Sequence, residues 1–506
     1  MRKLVAVALA IVMVAPSFDT AWTARASTLT RHIDPSLSVG EVALVHTSAG
    51  LAGALSHKLA LLGATEVETA SAADMVIARL SSAALAALAT DPSVIAAAPD
   101  IAIVATGERP GGTPGFEDDG PQPTTSSAAV GLLAIRAPYA WSRTTGKGVT
   151  VAVLDTGIAD HPDLGRKKVK ARVSFVNDGS AAQDPGGHGT FIAGVIAANG
   201  LMKGVAPDAE LVSLRVLDAN GNGTVANVVK AIDWLLKNHK RYHVDVVNLS
   251  WGAPQVTTYH KDILSALVES LWLSGMTVVA AAGNDGPTAH TVTAPGSDPF
   301  VITAGSFADH GTAAFGDDTL SSFSGRGPTL DGFAKPDTLA PGEHVRSLRV
   351  AGVRYLDAAG LPAGEPTDTY VNMTGTSAAA AFVSGVAALV AAEHKRFSPT
   401  QIKGAIIASG RPVVGSEATA VDAAMALERT GNANLGVRPS NLLLQILVLS
   451  HALRVKGVTW EGVTWEAITW DGITWDGITW EHVRWESVSW ESVSWEGVTW
   501  ARVVRR

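Results

Sequence analysis

Asp155, His188 and Ser377 are the residues of this chain whose types and order best fit nucleophilic catalysis. Each lies within two residues of a glycine, and an acid, an imidazole and a hydroxyl are the parts of a nucleophilic triad. The imidazole takes the serine proton as the hydroxyl attacks, and the carboxylate holds the imidazole in the correct tautomer. The order Asp, His, Ser is one of the few in which such triads occur along a chain. The sequence therefore predicts a serine nucleophile.

Apolar runs next to these residues predict how they are positioned. Residues 149–154 are mostly β-branched or apolar and end at Asp155, which predicts a buried parallel strand with the acid at its C-terminal end. Open α/β sheets bind ligands at that end. His188 precedes an apolar helix over 191–198, and Ser377 precedes a longer one over 378–390. A nucleophile at a helix N-terminus has backbone N–H groups beside it that can bind an oxyanion.

Asn284 is the expected side-chain donor to that oxyanion. It follows another apolar run, 277–282, so it also lies at a predicted strand end. A side-chain amide there can donate to the charge that develops on the substrate carbonyl. Pepsin-like aspartic proteases also use Asp-Thr-Gly, but they need two such loops to pair two carboxylates, and this chain has one, at Asp155.

With these motifs the chain resembles the subtilisin-like serine proteases (subtilases) over about residues 130–427. The motifs that carry the resemblance include Val151 to Ile158, His188-Gly189-Thr190, Gly204-Val205-Ala206-Pro207, Asn248-Leu249-Ser250-Trp251-Gly252, Ala281-Ala282-Gly283-Asn284 and Gly375-Thr376-Ser377. The resemblance implies an α/β fold with a doubly wound, mainly parallel sheet. It also implies that Asp155 orients, His188 is general base and acid, Ser377 attacks and Asn284 stabilises the oxyanion.

The resemblance also implies a substrate cleft that pairs with an extended peptide as an added strand. Its walls would be formed by Ser250, Trp251, Gly252, Ala281 and Gly283. Thr293 stands where many subtilases have a small residue at the pocket floor, so we expect a shallow pocket that favours small or medium apolar side chains. Asp285, next to Asn284, offers the alternative of a preference for basic residues.

No cofactor is expected to be required, and no metal ligands are assigned. The stretch from His188 to Pro207 is short compared with subtilases that carry a calcium loop there, so a structural calcium ion is left open without a site. The chain has no cysteine, which excludes a thiol nucleophile and disulfide bonds.

The N-terminal quarter of the chain contains three predicted segments that precede the catalytic domain. Residues 1–26 have the charged start, short apolar run and Ala-x-Ala site of a signal peptide. Residues 27–105 suggest a β-α-β-β-α-β, ferredoxin-like α+β unit with its last strand over 101–104. It resembles the subtilase propeptide, which assists folding and then inhibits; an independent domain is the alternative. Residues 106–129 form a Gly- and Pro-rich linker in which we expect autoprocessing, and 130–430 the catalytic domain.

The C-terminal part contains a linker with an apolar helix, 431–457, and a repetitive tail, 458–506. Trp recurs there every five residues and accounts for nine of the 14 tryptophans. That spacing would scatter the rings around a helix, since five residues turn it by about 500°. A short strand and turn per repeat predicts a β-rich, solenoid-like stack. A disordered low-complexity tail is the alternative.

Composition agrees with a secreted enzyme. The chain is 47% apolar with a formal net charge of −8, which argues against a nucleic-acid partner. We expect a secreted or cell-surface serine endopeptidase, made as an autoprocessed zymogen. Its partners would be protein or peptide substrates, its own propeptide and, through the Trp tail, a cell-surface glycan, membrane or protein. The alternative is a non-catalytic surface or scaffold protein that acts through the tail.

Overall fold

The computed structural model describes residues 32–106, 127–179, 183–353 and 369–443, and four dipeptides of the tail. These residues form two compact units, one built on the chain up to Asp100 and the other on the chain from Ile101 to Ser440. The predicted signal peptide, nearly all of the predicted linker and the apolar stretch after residue 443 lie outside the described residues.

The first unit has a ferredoxin-like order of elements. They are β1 His32–Ile33, β2 Val42–Thr47, α1 Ala52–Leu61, β3 Thr65–Ala70, β4 Met75–Arg79, α2 Ser82–Thr90 and β5 Val94–Pro99. The strands lie in the order β1-β5-β2-β4-β3. One face of this sheet packs on both helices through apolar side chains such as Val45, Leu59, Val76 and Leu88.

Three strands differ from the sequence-based expectation, which placed strands over residues 41–46, 75–80, 94–97 and 101–104. β1 was missed and has only two residues. β3 was missed because its six residues, TEVETA, are mostly exposed and show no apolar face. Residues 101–104, expected as the last strand of the first unit, instead contribute to β6, Ala102–Ala105, within the second unit. β6 pairs antiparallel with two strands there, β10 (Asn222–Thr224) and β12 (Trp251–Gly252). Its apolar residues fit this other sheet edge, which the local pattern did not reveal.

The second unit is built around a large, mainly parallel sheet. Its remaining strands are β7 Thr150–Asp155, β8 Val169–Ser174, β9 Glu210–Arg215, β11 Val244–Leu249, β13 Thr277–Ala281, β14 Ile302–Ala308, β15 Thr319–Leu320, β16 Thr338–Pro341, β17 Val345–Leu348 and β18 Tyr370–Met373. The helices are α3 Ser127–Ala134, α4 Ala137–Ala140, α5 His188–Ala197, α6 Val225–Tyr242, α7 Ile263–Leu273, α8 Thr376–Glu393, α9 Pro399–Ala408 and α10 Ala423–Ala426, with a 3₁₀ turn at Pro162–Leu164.

The order β15-β14-β13-β11-β7-β9-β8, with β16 on β14, explains the apolar runs in the sequence. Every residue of β7, β13 and β14 is buried, as expected for strands covered on both faces. α5 packs on α8, and α6 packs on α7. Among the described residues α8 alone is long and apolar enough to cross a membrane, but 83% of it is buried in this unit, so it is a core helix.

Four dipeptides of the tail form two parallel pairs. Trp465–Glu466 (β19) pairs with Trp485–Glu486 (β21), and Thr479–Trp480 (β20) pairs with Thr499–Trp500 (β22). In both pairs the partners are 20 residues apart, which equals four of the five-residue repeats. The β-rich stack predicted for the whole tail stays a prediction, because the residues between these dipeptides lie outside the described part of the chain.

Candidate active site

Three neighbouring parallel strands bring the predicted site residues to one edge of the sheet. β13, β11 and β7 are adjacent, and their C-terminal ends are followed by Asn284, Ser250 and, on the last residue of β7, Asp155. The chain runs outward from β7 in one direction through β9 and in the other through β11, so Asp155 lies where the strand order reverses. Ligand sites of open α/β sheets form at such points.

Asp155 and His188 form a buried pair. His188 is the first residue of α5, and its Nδ1 lies 2.8 Å and 3.0 Å from the two carboxylate oxygens of Asp155. The carboxylate is fully buried, and its Oδ1 also accepts the backbone N–H of Thr156 at 2.7 Å. This pairing directs Nε2 of His188 away from the acid, so the tautomer with a basic Nε2 is the one that Asp155 stabilises.

Glycines make this pairing sterically feasible. A Cβ on Gly189 would collide with the carbonyl oxygen of Gly157 and would lie 3.1 Å from Cβ of Asp155. Gly157 itself has φ of +124°, a backbone conformation that residues other than glycine rarely adopt. The loop after β7 and the start of α5 therefore pack backbone to backbone, which is why both sequence motifs contain a glycine.

Asp184 is a site residue that sequence reasoning missed. It is buried four positions before His188 and accepts hydrogen bonds from Thr156 Oγ1 (2.7 Å), Gly187 N (2.6 Å) and Thr190 N (2.7 Å). Its carboxylate therefore joins the loop that carries Asp155 to the first turn of α5. An Asp just before a glycine-rich helix start, at Gly186 and Gly187, was the available signal, since Asp commonly caps helix N-termini.

The nearby carboxylates of Asp155 and Asp184 favour the protonated form of His188. Burial alone lowers the pKa of His188, but the charge and hydrogen bond of Asp155 and the charge of Asp184 raise it, and the net pKa lies above its ordinary value. Burial raises the pKa of Asp184, while hydrogen bonds from Thr156 and Thr190 oppose that rise. An imidazole with a raised pKa is a better proton acceptor for a hydroxyl.

Ser377 and Asn284 converge on one carbonyl group. Ser377 lies in the first turn of α8, and its backbone N donates to the carbonyl oxygen of Thr106 at 3.2 Å. Asn284 Nδ2 donates to the same oxygen at 3.0 Å. The amide of Asn284 is oriented by Thr376, whose N and Oγ1 both donate to Asn284 Oδ1, at 3.0 Å and 2.8 Å. The result is a two-donor site for one carbonyl oxygen.

The chain itself supplies that carbonyl. β6 lies between β10 and β12, with Ala105 opposite Trp251 and Val104 opposite Gly252. Thr106 continues the ladder by donating its N–H to Ser250 O at 3.1 Å. A segment of the chain therefore occupies the cleft as an added antiparallel strand, the mode predicted for a substrate. Sequence reasoning placed residue 106 at the start of a linker and did not foresee this contact.

Comparison with known protein families matches the sequence that contains these residues to one family. Residues 146–432, more than half of the chain, match the Subtilase family of peptidases. The chain belongs to the subtilase family. The matched region contains Asp155, His188, Asn284 and Ser377, whereas Thr106 precedes it.

Related subtilases come from bacteria. The chain is 38% identical to serine protease AprX of Bacillus subtilis over 51% of this chain and 60% of that protein. It is 36% identical to the M-protease of Shouchella clausii over 55% of this chain and 64% of that protein. It is also 36% identical to subtilisin Savinase of Lederbergia lenta, over 55% of this chain and 89% of that protein. The chain thus spans less than two thirds of the first two relatives' lengths.

Two of the predicted pocket residues of this subtilase, Gly252 and Gly283, lie next to Thr293. A Cβ on Gly252 would collide with Oγ1 of Thr293, and a Cβ on Gly283 would lie 2.8 Å from its Cγ2. The Thr293 side chain therefore lies against both glycines, and the shallow pocket stays a prediction. Asp285 is exposed to solvent, which gives no support to its alternative role as a specificity residue.

Trp251 and Ala281, two further residues of the predicted cleft wall, are both buried. The indole of Trp251 is fully buried and donates Nε1–H to Leu154 O at 3.0 Å, so its backbone is the part that pairs with β6. Ala281 is buried as the last residue of β13.

Among the residues that the structure describes, no group of three or more His, Asp or Glu side chains could hold a metal ion.

Proposed function

We propose that this subtilase is a secreted serine endopeptidase, made as a zymogen that cleaves its own chain after Thr106. Asp155, His188 and Ser377 are the proposed triad, and Ser377 N and Asn284 Nδ2 are the proposed oxyanion donors. The observation that carries the proposal is the Thr106 carbonyl oxygen, which both donors reach at 3.2 Å and 3.0 Å beside the Ser377 hydroxyl. The family and the relatives named as proteases support it.

The proposed reaction proceeds through an acyl-enzyme. Ser377 Oγ attacks the carbonyl carbon while His188 Nε2 takes its proton, and the two donors stabilise the charge on the carbonyl oxygen. The C–N bond then breaks, and His188 gives the proton to the leaving amine. Water, deprotonated by His188, hydrolyses the ester and restores Ser377. For the chain's own segment the leaving amine is that of Gly107.

The first unit is the proposed propeptide. Its chain leads directly into β6, so cleavage after Thr106 would separate residues up to 106 from the catalytic unit. The peptide end would remain hydrogen-bonded to Ser250, Asn284 and Ser377, as a product that occupies the cleft. This arrangement supports storage of the enzyme in an inactive form. A preference for small side chains at this position fits the predicted shallow pocket, in which Thr293 lies against Gly252 and Gly283.

Secretion and surface retention complete the proposal. Residues 1–26 would direct export, and the Trp tail would hold the enzyme at the cell surface through a glycan, a membrane or a protein. Nine Trp in one tail make full exposure to water costly, which supports a bound partner. A chain truncated after Gly457 should move from the cell fraction to the medium, whereas an unchanged distribution would contradict retention.

The test of the enzyme proposal compares wild type with Ser377→Ala for casein hydrolysis. The variant should lose activity by several orders of magnitude, because the nucleophile is absent. Ser384→Ala, at a buried serine of the same helix whose hydroxyl bonds to Asn248 Oδ1 at 2.9 Å, is a matched control that should remain active. Full activity of Ser377→Ala would exclude the triad mechanism, whereas a wild type that hydrolyses no casein would favour the non-catalytic scaffold.

A further inference from the structure

The hydroxyl of Ser377 makes no hydrogen bond to His188 while Thr106 occupies the cleft. Ser377 Oγ donates to the carbonyl oxygen of Ser250 at 3.0 Å, and it lies 2.9 Å from Oγ1 of Thr106. Nε2 of His188 is buried and has no hydrogen-bond partner among the residues that the structure describes. The proposed nucleophile is therefore engaged by two groups, neither of which is its proposed base.

These contacts have a defined consequence for attack. A hydroxyl has one proton and two lone pairs. When Ser377 gives its proton to Ser250 O, the contact with Thr106 must be donated by the threonine, and it engages one of the two lone pairs, which makes the oxygen a weaker nucleophile. When Ser377 instead gives its proton to Thr106, the proton still points away from His188. In both arrangements the proton points away from His188 and the Thr106 hydroxyl contacts the attacking oxygen, so loss of that hydroxyl frees either a lone pair or the proton.

We propose that the side-chain hydroxyl of Thr106 is an inhibitory contact, which engages the attacking oxygen of Ser377 and so slows cleavage after a threonine. This inference rests on the proposed function and concerns regulation of the same site. It assigns a ligand class to the cleft: extended peptides whose last residue carries a β-hydroxyl bind as inhibitors and react slowly. The chain's own segment Ile103-Val104-Ala105-Thr106 belongs to that class.

Burial and a stiff side chain keep the threonine hydroxyl beside the nucleophile. Thr106 is 8% exposed, and its β-branch restricts rotation about χ1. A confined, stiff side chain keeps its hydroxyl within hydrogen-bonding distance of Ser377.

Thr106→Val in the full chain is the direct test, because valine keeps the shape and the β-branch and removes only the hydroxyl. The rate at which newly folded chain yields the Gly107 N-terminus should rise about fivefold, the effect of losing one neutral hydrogen bond. Thr106→Ser, which retains the hydroxyl, should stay within about twofold of wild type on the same basis. Thermal midpoints measured in the Ser377→Ala background show whether either substitution alters folding.

The same hydroxyl can be tested with peptides added to processed enzyme. Ile-Val-Ala-Thr should inhibit about fivefold more strongly than Ile-Val-Ala-Val, since the pair differs by one hydrogen bond. The allo-threonine peptide, with the hydroxyl and methyl exchanged, should resemble the valine peptide.

The outcomes separate this inference from the proposed function. Equal or slower processing of Thr106→Val, with equal inhibition by the peptides, would overturn the inhibitory contact and leave the protease proposal intact. Failure of both wild type and Thr106→Val to cleave, with no peptide hydrolysis, would overturn the protease proposal and the inhibitory contact with it.

Discussion

Thr376 fixes the amide of Asn284 by donating two hydrogen bonds to one oxygen. Its backbone N and its Oγ1 lie 3.0 Å and 2.8 Å from Asn284 Oδ1, so the NH₂ group must face the opposite way. That group meets the carbonyl oxygen of Thr106 at 3.0 Å. The residue next to the proposed nucleophile thus positions the donor that lies on a different strand end, which couples the two halves of the proposed oxyanion site.

Replacing Asn284 should lower kcat more than replacing Thr376. Asn284→Ala should reduce kcat by about 10²–10³, the effect of removing an oxyanion donor in subtilisin, which we carry over to this relative. Thr376→Val keeps the backbone donor and loses one of the two bonds, so we expect a loss of about tenfold. Steady-state kinetics on a peptide substrate measures both, and KM should change little. Equal losses would contradict the orienting role of Thr376.

Asp184→Asn should shift the pH dependence of kcat/KM. His188 must be neutral to take a proton, and its pKa is raised, so kcat/KM falls as the pH drops through that raised value. Asp184 contributes to the rise through its charge, so its neutralisation should move the acid limb of the profile to lower pH. The plateau should also fall, because the amide cannot accept every bond that the carboxylate accepts.

The matched control for Asp184 is Asp160→Asn, at an exposed acid paired with Arg172. Its pH profile should superimpose on that of wild type. A lower plateau in Asp184→Asn with an unmoved acid limb would show that Asp184 acts through loop structure alone.

Thr293→Gly should open the pocket to larger side chains. Its side chain stands between Gly252 and Gly283, and without it the pocket gains the volume of a threonine side chain. The ratio of kcat/KM for Ile-Val-Ala-Phe over Ile-Val-Ala-Ala substrates should rise by about 10- to 200-fold, the usual range for hydrophobic pocket discrimination. Thr293→Ser, which removes only the methyl group, should give an intermediate ratio. An unchanged ratio would place the pocket floor elsewhere.

The spacing of the tail pairs predicts a specific disulfide. Thr479 and Thr499 are register partners on parallel strands, about 5 Å apart, within the range that a disulfide spans. The chain has no cysteine, so Thr479→Cys with Thr499→Cys introduces a single pair. Oxidation should cross-link it rapidly, as seen by mass spectrometry after proteolysis. The control pair, Thr474→Cys with Thr499→Cys, is five residues out of register and should cross-link slowly. Equal rates for the two pairs would contradict the pairing of residues that are 20 positions apart.

The sequence predicted the strand ends because continuous apolar burial leaves a strong local pattern. β7 and β13 are buried on both faces; Asp155 is the last residue of β7, and Asn284 lies three residues after β13 ends. The helix starts at His188 and Ser377 were recognisable for the same reason. β3 escaped prediction because an exposed edge strand needs no apolar face.

Contacts between distant parts of the chain were not predictable from local patterns. Asp184 acts through Thr156, 28 residues away, and Thr106 meets Ser377 across 271 residues. The strand over 101–104 was anticipated, but its partners β10 and β12 lie more than a hundred residues later. A sheet edge that accepts a strand leaves no mark on the sequence of that strand.

The N-terminal residue of the processed protein is the most direct test of self-cleavage after Thr106. We predict that wild type yields a catalytic chain beginning at Gly107, because the Thr106 carbonyl oxygen accepts hydrogen bonds from Ser377 N and Asn284 Nδ2, and that Ser377→Ala remains uncleaved at this bond. Cleavage of Ser377→Ala at the same position in the absence of other proteases, or a wild-type chain that begins elsewhere, would contradict it.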